Sequence, residues 1–434
     1  MRLLLKNATL VTQNAHREIL HGDIFIEDNL IREIGPGLQV PDAETWDLTN
    51  HVILPGLIQT HVHLCQALFR NLADDLELLD WLSQYIWPLE SAHTESSLRA
   101  SARLGLTEML KSGVTAILDM GSASHMDVVF EEMVRSGIRG YSGKVMMDHG
   151  TQPYKEPFDD IIRDTERLIH QWHNSADGRV GYALAPRFVL TCSDQLWEAV
   201  RDLSHRYNLI IHTHAAENKS EVALVQEQTG YRNVEFFVRK HLASPKLCLA
   251  HCIWLSDQEV EYLKDYHINV MHCPSANLKL GSGFAPIPRY LEEGINVSLG
   301  SDGAPCNNNL DIFIDLRLAA LIHKPTFGVT TMNAQQVLDM VTINGAKTLG
   351  LEDKIGSLEA GKLADLTILQ LNKVHHTPAD NVISQIVYSA QSRDVVHVMV
   401  DGKWVVQYGR TVAYDEEEVV RTAREACAAL LEVL

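Results

Sequence analysis

Two histidines separated by a single residue, His61 and His63, follow an apolar, strand-length run at 52–60. In an extended strand, residues i and i+2 project to the same side. The two imidazoles could therefore bind one divalent metal ion. Taken alone, the pair is equally consistent with two polar histidines in a loop.

Three further side chains suited to metal chemistry, His214, His251 and Asp302, stand at or just after the ends of other predicted strands. Those strands are 209–214, 246–251 and 295–300. The carboxyl ends of parallel strands meet at one face of an α/β barrel. The sequence therefore predicts that these residues converge with His61 and His63 on one divalent metal ion.

Glu217 follows His214 by three residues. A carboxyl group at this position could reach an activated water molecule and transfer a proton as a general acid or base. An ordinary acidic residue at the start of a helix is the alternative interpretation.

The elements around these residues alternate between strands and amphipathic helices, with helices predicted at 95–111, 126–136 and 193–206. Ser256 and Glu259 form a capping-box pattern that begins another helix, and a final helix is predicted from about Asp415. Repeated βα units imply a parallel sheet, which closes into a barrel when there are eight. We therefore predict an α/β fold with a (β/α)₈ TIM barrel.

The two ends of the chain have a different pattern, with short apolar runs bounded by Gly, Asn and Asp, which is typical of β-structure. We expect 1–55 and 356–434 to join in a small β-sandwich domain, with the final helix attached. The metal-binding barrel is expected to span 56–355.

Composition excludes several classes of function. The formal net charge of −19 over 434 residues argues against nucleic acid and anionic membranes as partners. No apolar run reaches the length of about 18 residues that spans a bilayer, and 1–10 does not resemble a signal peptide. The seven cysteines include no CxxC pair, which favours a reducing cytoplasm over a disulfide framework.

Several motifs carry a family resemblance. They are Pro55-Gly56-Leu57-Ile58-x-Thr60-His61-x-His63, His214-x-x-Glu217, Leu249-Ala250-His251-Cys252, His272-Cys273-Pro274-Ser275-x-Asn277, Leu299-Gly300-Ser301-Asp302-Gly303 and Gly356-Ser357-Leu358-Glu359-x-Gly361. Together they strongly resemble the amidohydrolase superfamily, and specifically the aminohydrolases that deaminate purines, pyrimidines and related rings. The resemblance covers essentially the whole chain.

This resemblance implies a single divalent ion, Zn²⁺ in preference to Fe²⁺, bound by His61, His63, His214 and Asp302. It implies that His251 neighbours the hydrolytic water. In the expected mechanism Asp302 accepts the proton of that water, and Glu217 contacts the substrate and protonates a ring nitrogen. Members with two metals carry a carboxylated lysine on the fourth strand, and 180–186 contains no lysine.

Within the superfamily, 68–76, 81–82, 88–90 and 303–311 resemble the 5′-methylthioadenosine/S-adenosylhomocysteine deaminases most closely. The resemblance implies that Trp81 lines the substrate pocket and that Glu90 binds the ribose hydroxyls, since a carboxylate can accept two hydrogen bonds from a diol. Without it, a packed aromatic ring and a helix-start acid would be the simpler interpretations.

Two substrate-binding positions depart from that family. Arg187 stands where a purine-contacting histidine is expected, and Arg187-Phe188 resembles guanine deaminase instead. Lys144 aligns with an arginine that would bind a homocysteine carboxylate, and a point charge is a poorer partner for that group.

The expected substrate is a small purine nucleoside: 5′-methylthioadenosine, 5′-deoxyadenosine, adenosine or, less favoured, S-adenosylhomocysteine. Guanine deaminase is the alternative, and a triazine or pterin aminohydrolase is a third. A homo-oligomer is expected. A scaffold protein that has lost its metal would lack a ligand, and none is missing here.

Overall fold

A computed structural model describes residues 1–150, 155–378 and 381–432 of the chain. Its first part is a run of strands joined by turns, in agreement with the predicted N-terminal β-region. These strands are β1 (Arg2–Val11), β2 (Ile19–Glu27), β3 (Leu30–Gly35), β4 (Glu44–Asp47) and β5 (His51–Pro55).

Within the described residues, the central strands pair with one another only in parallel. They are β6 (Leu57–Val62), β7 (Val114–Asp119), β8 (Arg139–Ser142), β9 (Val145–Met146), β10 (Val180–Tyr182), β11 (Ala185–Pro186), β12 (Ile211–Ala215), β13 (Leu247–His251), β14 (Asn269–His272) and β15 (Val297–Leu299). They form the four-stranded sheets β10-β8-β7-β6 and β12-β13-β14-β15 and the pair β11-β9. Isolated parallel bridges join Val62 to Asp302 and Leu184 to Ile211. The ladders of the described chain do not run continuously around a closed barrel.

The last strands are β16 (Leu366–Gln370), β17 (Val395–Val400), β18 (Lys403–Gln407) and β19 (Arg410–Thr411). β16 pairs with β5 in antiparallel fashion, which joins the two ends of the chain in one nine-stranded sheet. The path through this sheet is β19-β18-β17-β16-β5-β1-β2-β3, with β4 beside β1. Strands from the two ends of the chain therefore share one sheet.

Helices connect and follow the central strands. They are α1 (Leu78–Trp81), α2 (Trp87–Ser91), α3 (Glu95–Lys111), α4 (Met126–Ser136), α5 (Phe158–Trp172), α6 (Ser175–Gly178), α7 (Asp194–Tyr207), α8 (Lys219–Thr229), α9 (Asn233–Arg239), α10 (Asp257–Asp265), α11 (Pro274–Lys279), α12 (Ile287–Glu292), α13 (Ala304–Asn307), α14 (Ile312–Ile322), α15 (Lys324–Phe327), α16 (Ala334–Met340), α17 (Ile343–Thr348), α18 (Val382–Ser384) and α19 (Glu416–Leu431). Short 3₁₀ turns occupy Leu64–Phe69, Val189–Thr191, Val374–His376 and Ser392–Asp394, and π-helical turns occupy Leu82–Ile86 and Gln385–Ser389.

Several of these helices lie where the sequence predicts them. The predicted helices at 95–111 and 126–136 match α3 and α4, and 193–206 lies within one residue of α7 at each end. Ser256 and Glu259 make the predicted capping box at α10, and Asp415 caps α19 through its side chain. No helix of the described chain is both long enough and apolar enough to cross a bilayer.

One predicted strand is broken in the structure. The run at 52–60 divides at Gly56 into β5 and β6, which belong to different sheets. A Cβ atom at Gly56 would lie 2.0 Å from Oγ1 of Thr115. The close approach of β7 therefore requires glycine where the chain leaves the nine-stranded sheet and enters the first central strand.

Candidate metal centre and active-site cavity

Side chains from three strand ends converge on one point. β6 carries His61 and is followed at once by His63, β12 carries His214, and Asp302 follows β15. One nitrogen of each imidazole and one carboxylate oxygen lie within 4.8 Å of one another. The Val62–Asp302 bridge brings the ends of β6 and β15 together at this point.

The spacing and chemistry of these donors fit a tetrahedral metal ion. The Nε2 atoms of His61 and His63 lie 3.2 Å and 3.3 Å from Oδ1 of Asp302. Ligands of a tetrahedral Zn²⁺, each at about 2.1 Å from it, are separated by about 3.4 Å. Nε2 of His61 is buried and has no hydrogen-bond partner of good geometry in the described chain. The arrangement therefore leaves an electron pair available to a cation.

Burial sets the charge states that metal binding needs. It lowers the pKa of His61 to about 4 and holds the pKa of His214 well below its usual range, so both imidazoles are neutral at pH 7. For Asp302, burial opposes ionisation, but the adjacent His61 and His63 outweigh it and keep the pKa well below its usual range. The centre therefore offers the neutral imidazoles of His61 and His214 and an ionised carboxylate.

A second layer of hydrogen bonds orients two of these imidazoles. Nδ1 of His61 lies 2.7 Å from Nε2 of His212, and Nδ1 of His214 donates to the carbonyl oxygen of Arg187 at 2.7 Å. Contacts of this kind fix the ring orientation and the tautomer of a metal-binding histidine. Both rings therefore present Nε2 to the centre.

His251 and Glu217 lie beside the four converging residues. Nδ1 of His251 is 2.8 Å from Oδ1 of Asn277, while its Nε2 is 3.4 Å from Oε2 of Glu217 and 3.9 Å from Oδ2 of Asp302. Oε1 of Glu217 is 3.4 Å from Oγ of Ser282. This geometry places a nitrogen base and a carboxyl group next to the candidate metal centre.

The environment raises the pKa of both Glu217 and His251. Burial raises the pKa of Glu217, because the charged carboxylate is poorly solvated there. Burial lowers the pKa of His251, but the carboxylates of Glu217 and Asp302 outweigh it and raise that pKa above its usual range. Glu217 and His251 therefore both bind a proton more readily than they would in water.

The backbone is strained where strands end at the site. Ala216, His251, Cys252 and Asp302 have φ angles of +52°, +72°, +49° and +64°, in the left-handed region that non-glycine residues rarely adopt. Such residues cost about 1–3 kcal/mol each and concentrate at functional sites. Sharp turns of this kind orient the side chains toward the space between the strand ends.

A cavity opens over the centre and contains most of the residues predicted for the site. Its lining consists of His63, Gln66, Leu78, Trp81, Leu82, Arg187, Phe188, His214, Glu217, Glu221, His251, Leu280 and Asp302. His61 lies beneath the cavity, fully buried. The structure thus brings Trp81 and Arg187 to the same space as the candidate catalytic groups.

Two residues predicted to bind substrate, Glu90 and Lys144, are not among the described residues that line the cavity. The carboxylate of Glu90 accepts a hydrogen bond from Nε2 of Gln66 at 2.7 Å and forms a buried ion pair with Arg187. Glu90 thus lies behind two residues that face the cavity.

The ammonium group of Lys144 is engaged elsewhere. It lies 2.7 Å from Oε2 of Glu156 and 3.6 Å from Oδ2 of Asp164, and it donates to the carbonyl oxygen of Ala123. These contacts account for burial of the lysine and balance its charge.

Several residues of the site were not predicted from the sequence. Gln66, Leu78, Leu82, Phe188, Glu221 and Leu280 line the cavity, and His212, Asn277 and Ser282 support it. His212 precedes His214 by two residues, the same spacing as His61 and His63, which was an available signal. The apolar lining residues carry no pattern that distinguishes them from core.

Comparison with known proteins agrees with this geometry. The model of the amidohydrolase family matches residues 52–405. The chain belongs to the amidohydrolase family. Over 433 residues it is 36% identical to a 5′-deoxyadenosine deaminase of Methanosarcina acetivorans, covering 99% of this chain and 98% of that protein.

Two other similar proteins carry related names. A 5-methylthioadenosine/S-adenosylhomocysteine deaminase of Syntrophomonas wolfei is 38% identical over 437 residues, with 99% of this chain and 100% of that protein covered. The crystal structure of an adenosine deaminase from Xanthomonas campestris with bound zinc superposes with a TM-score of 0.93 at 29% identity, covering 99% and 98% of the two chains.

Proposed function

We propose that this amidohydrolase is a metal-dependent deaminase that hydrolyses the exocyclic amine of an adenine nucleoside and releases ammonia. Its substrates would be 5′-deoxyadenosine, 5′-methylthioadenosine, adenosine or S-adenosylhomocysteine. The observation that carries the proposal is the position of Glu217 and His251 beside four converging metal-binding side chains, within one cavity. The names of the similar proteins support the same chemistry.

His61, His63, His214 and Asp302 would hold one divalent ion. Three imidazole nitrogens and a carboxylate oxygen are ligands that Zn²⁺ favours, and the structural neighbour with bound zinc supports Zn²⁺ over Fe²⁺. When bound, the ion would supply the Lewis acidity that brings the pKa of a water molecule down to about 7.

Side chains of the protein would transfer the protons of the reaction. Asp302, ionised at neutral pH, would accept a proton from the attacking water and return it to the departing amine, so that the carbon–nitrogen bond breaks and ammonia leaves. Glu217, with its raised pKa, holds a proton at a carboxyl oxygen and delivers it to a ring nitrogen, which makes the amine-bearing carbon electrophilic. His251 presents Nε2 between these two carboxyl groups and stabilises the charge that develops on the attacking oxygen.

The cavity wall supports an aromatic heterocycle as substrate. Trp81 offers a flat apolar surface, and the guanidinium of Arg187 is a donor for a ring nitrogen or carbonyl. We propose that Glu90 positions Arg187 and Gln66 for substrate binding, in addition to any direct contact that it makes with the substrate. The proposal does not extend to Lys144, because acidic side chains already hold its ammonium group.

A guanine deaminase is the second candidate function. Arg187 and Phe188 both line the cavity, and this pair is the feature that resembled guanine deaminase in the sequence. An arginine donor suits the carbonyl oxygen of guanine.

We also propose that the two four-stranded sheets are halves of one (β/α)₈ barrel over 56–355. The bridges Val62–Asp302 and Leu184–Ile211 support this, since each joins a residue of an edge strand to a residue just outside a strand of another sheet. We further propose that 1–55 and 356–434 form a β-sandwich, and a buried apolar cluster that includes Leu3, Ile24 and Met399 supports it.

We also propose that the protein is cytoplasmic and forms a homo-oligomer. All seven cysteines are unpaired, which supports a reducing cytoplasm. A homo-oligomer is supported by the exposed apolar residues Ile314 and Leu321 on α14.

Ammonia release from adenosine, 5′-methylthioadenosine, 5′-deoxyadenosine, S-adenosylhomocysteine and guanine, measured side by side with the metal-loaded protein, tests the proposed reaction. We expect turnover of the adenine nucleosides, and loss of most of it in Glu217→Gln with the metal retained. Turnover of guanine alone would replace the leading proposal with the second candidate. Full activity of Glu217→Gln would remove Glu217 from the mechanism.

A further inference from the structure

The turn between β12 and α8 carries Glu217 and is held from both sides. On one side, the carbonyl oxygen of Ala216 accepts hydrogen bonds from the backbone amides of Ile253 and Trp254, both at 3.0 Å. Ala216 itself has a φ of +52°. A turn with a left-handed alanine persists only when its surroundings determine its conformation.

The amide side of this turn is held by a second glutamate. The backbone N–H of Glu217 donates to Oε2 of Glu221 at 3.0 Å, and the other carboxyl oxygen of Glu221 accepts from Nδ2 of Asn233. Glu221 is 3% exposed and Asn233 is fully buried. The carboxyl group of Glu221 therefore connects the Glu217 turn to the start of α9.

Glu221 is a costly group to bury. Burial raises its pKa to about 7, since the hydrogen bonds from Asn233 and Glu217 only partly offset the loss of solvation. An apolar side chain would fill the same space without this cost. Its backbone partners are the amides of Glu217 and of the next residue, Asn218, so the carboxyl group holds the turn that carries Glu217.

We propose that Glu221 is a positioning residue for deamination: by holding the backbone amide of Glu217, it fixes where the carboxyl group of Glu217 meets the substrate. This inference rests on the proposed function, in which Glu217 transfers the proton. A shift of about 1 Å in a catalytic group can lower turnover about 100-fold, so loss of the contact should lower kcat while KM changes little.

A purely structural role is the competing explanation, because Glu221 lies in the first turn of α8. The chain offers a matched control in Glu259, at the third position of α10. Glu259 is equally buried and accepts hydrogen bonds from the backbone amides of Ser256 and Val234. It lines no part of the cavity among the described residues.

The experiment compares Glu221→Leu, Glu221→Gln and Glu259→Leu in the metal-loaded protein. Glutamine can still accept from the Glu217 amide, and Asn233 can reverse its amide, whose oxygen has no partner in the described chain. We expect kcat to fall by about 10- to 100-fold in Glu221→Leu and by less than about threefold in Glu221→Gln and Glu259→Leu. Asn233→Ala, with an intermediate loss, replaces Glu221→Leu if that variant does not fold.

Hydrogen exchange gives a readout that is independent of activity. The amide of Glu217 should exchange faster in Glu221→Leu than in wild type and in Glu221→Gln. An unchanged exchange rate, or equal losses of kcat in Glu221→Leu and Glu259→Leu, would overturn the inference. Equal losses in the two Glu221 variants would also overturn it, since they would indicate proton transfer by Glu221. If wild type deaminates no purine, the proposed function fails, and the exchange result still tests the contact.

Discussion

Nη1 of Arg187 lies 2.5 Å from Oε2 of Glu90, and both side chains are buried. The carbonyl oxygen of the same arginine accepts the hydrogen bond from Nδ1 of His214. Arg187 therefore links a carboxylate on α2 to a candidate metal ligand on β12. Its backbone carbonyl orients a candidate metal ligand, while its side chain forms part of the cavity wall.

Removing only the cation of this pair should be costly, because the buried carboxylate of Glu90 would then lose the counter-charge of Arg187. We expect Arg187→Met to lose about 3–5 kcal/mol of unfolding free energy. Adding Glu90→Gln should restore part of this loss, since the second substitution removes the uncompensated charge. Thermal denaturation of both variants measures the difference.

The exposed pair of Arg163 and Asp160 is the control for this prediction. Its atoms are 2.6 Å apart, but the two side chains are 74% and 46% exposed. Arg163→Met should therefore change stability by less than about 1 kcal/mol. If the double variant at 187 and 90 melted no higher than Arg187→Met, the two buried groups would not be energetically coupled.

The geometry separates metal ligands from a residue that only neighbours the metal. His214 belongs to the converging group, whereas Nε2 of His251 is directed at Glu217 and Asp302. We expect His214→Asn to lose both bound metal and turnover, and His251→Asn to keep the metal while turnover falls at least about 100-fold. Metal content by mass spectrometry, with steady-state rates, distinguishes the two results.

His93 provides the control for nonspecific loss of metal. It is buried but hydrogen-bonds to Ser97 and to the carbonyl oxygen of Cys65 instead. His93→Asn should retain the metal. A metal-free His251→Asn protein would make His251 a ligand and contradict the assignment.

Much of this site could be predicted from the chain because strand ends impose the convergence. Alternation in β6 fixes His61 and His63 on one side, and the parallel order of strands brings His214 and Asp302 to the same end. Helices with clear caps, such as α3 and α10, were likewise predictable from local pattern.

The remaining features depend on contacts between distant segments. The sequence around Glu90 gives no sign that Arg187, 97 residues away, binds one of its carboxyl oxygens. The division of one apolar run at Gly56 depends on the approach of Thr115 from another strand. Lys144 is a similar case, because its two acidic partners lie on and before α5.

His212 should control metal affinity without touching the metal. Its Nε2 is 2.7 Å from Nδ1 of His61, and loss of such an outer contact typically weakens metal binding about 10- to 100-fold. We expect His212→Phe to bind Zn²⁺ that much more weakly, as measured by competition with a chelator. An affinity within about twofold of wild type would show that ring packing alone orients His61.

A histidine far from the metal centre should make the nine-stranded sheet sensitive to acid. His397 on β17 packs against the stacked rings of Trp46 and Trp404, and burial lowers its pKa to about 4. Its contribution to stability is present above the unfolded pKa of about 6.5 and is lost as pH falls towards 4. His397→Phe keeps an aromatic ring without the titration, so its stability relative to wild type should rise as pH falls from 6.5 to 4. Denaturation of metal-free wild type and variant across this range measures the difference, and a difference that does not vary with pH would contradict the prediction.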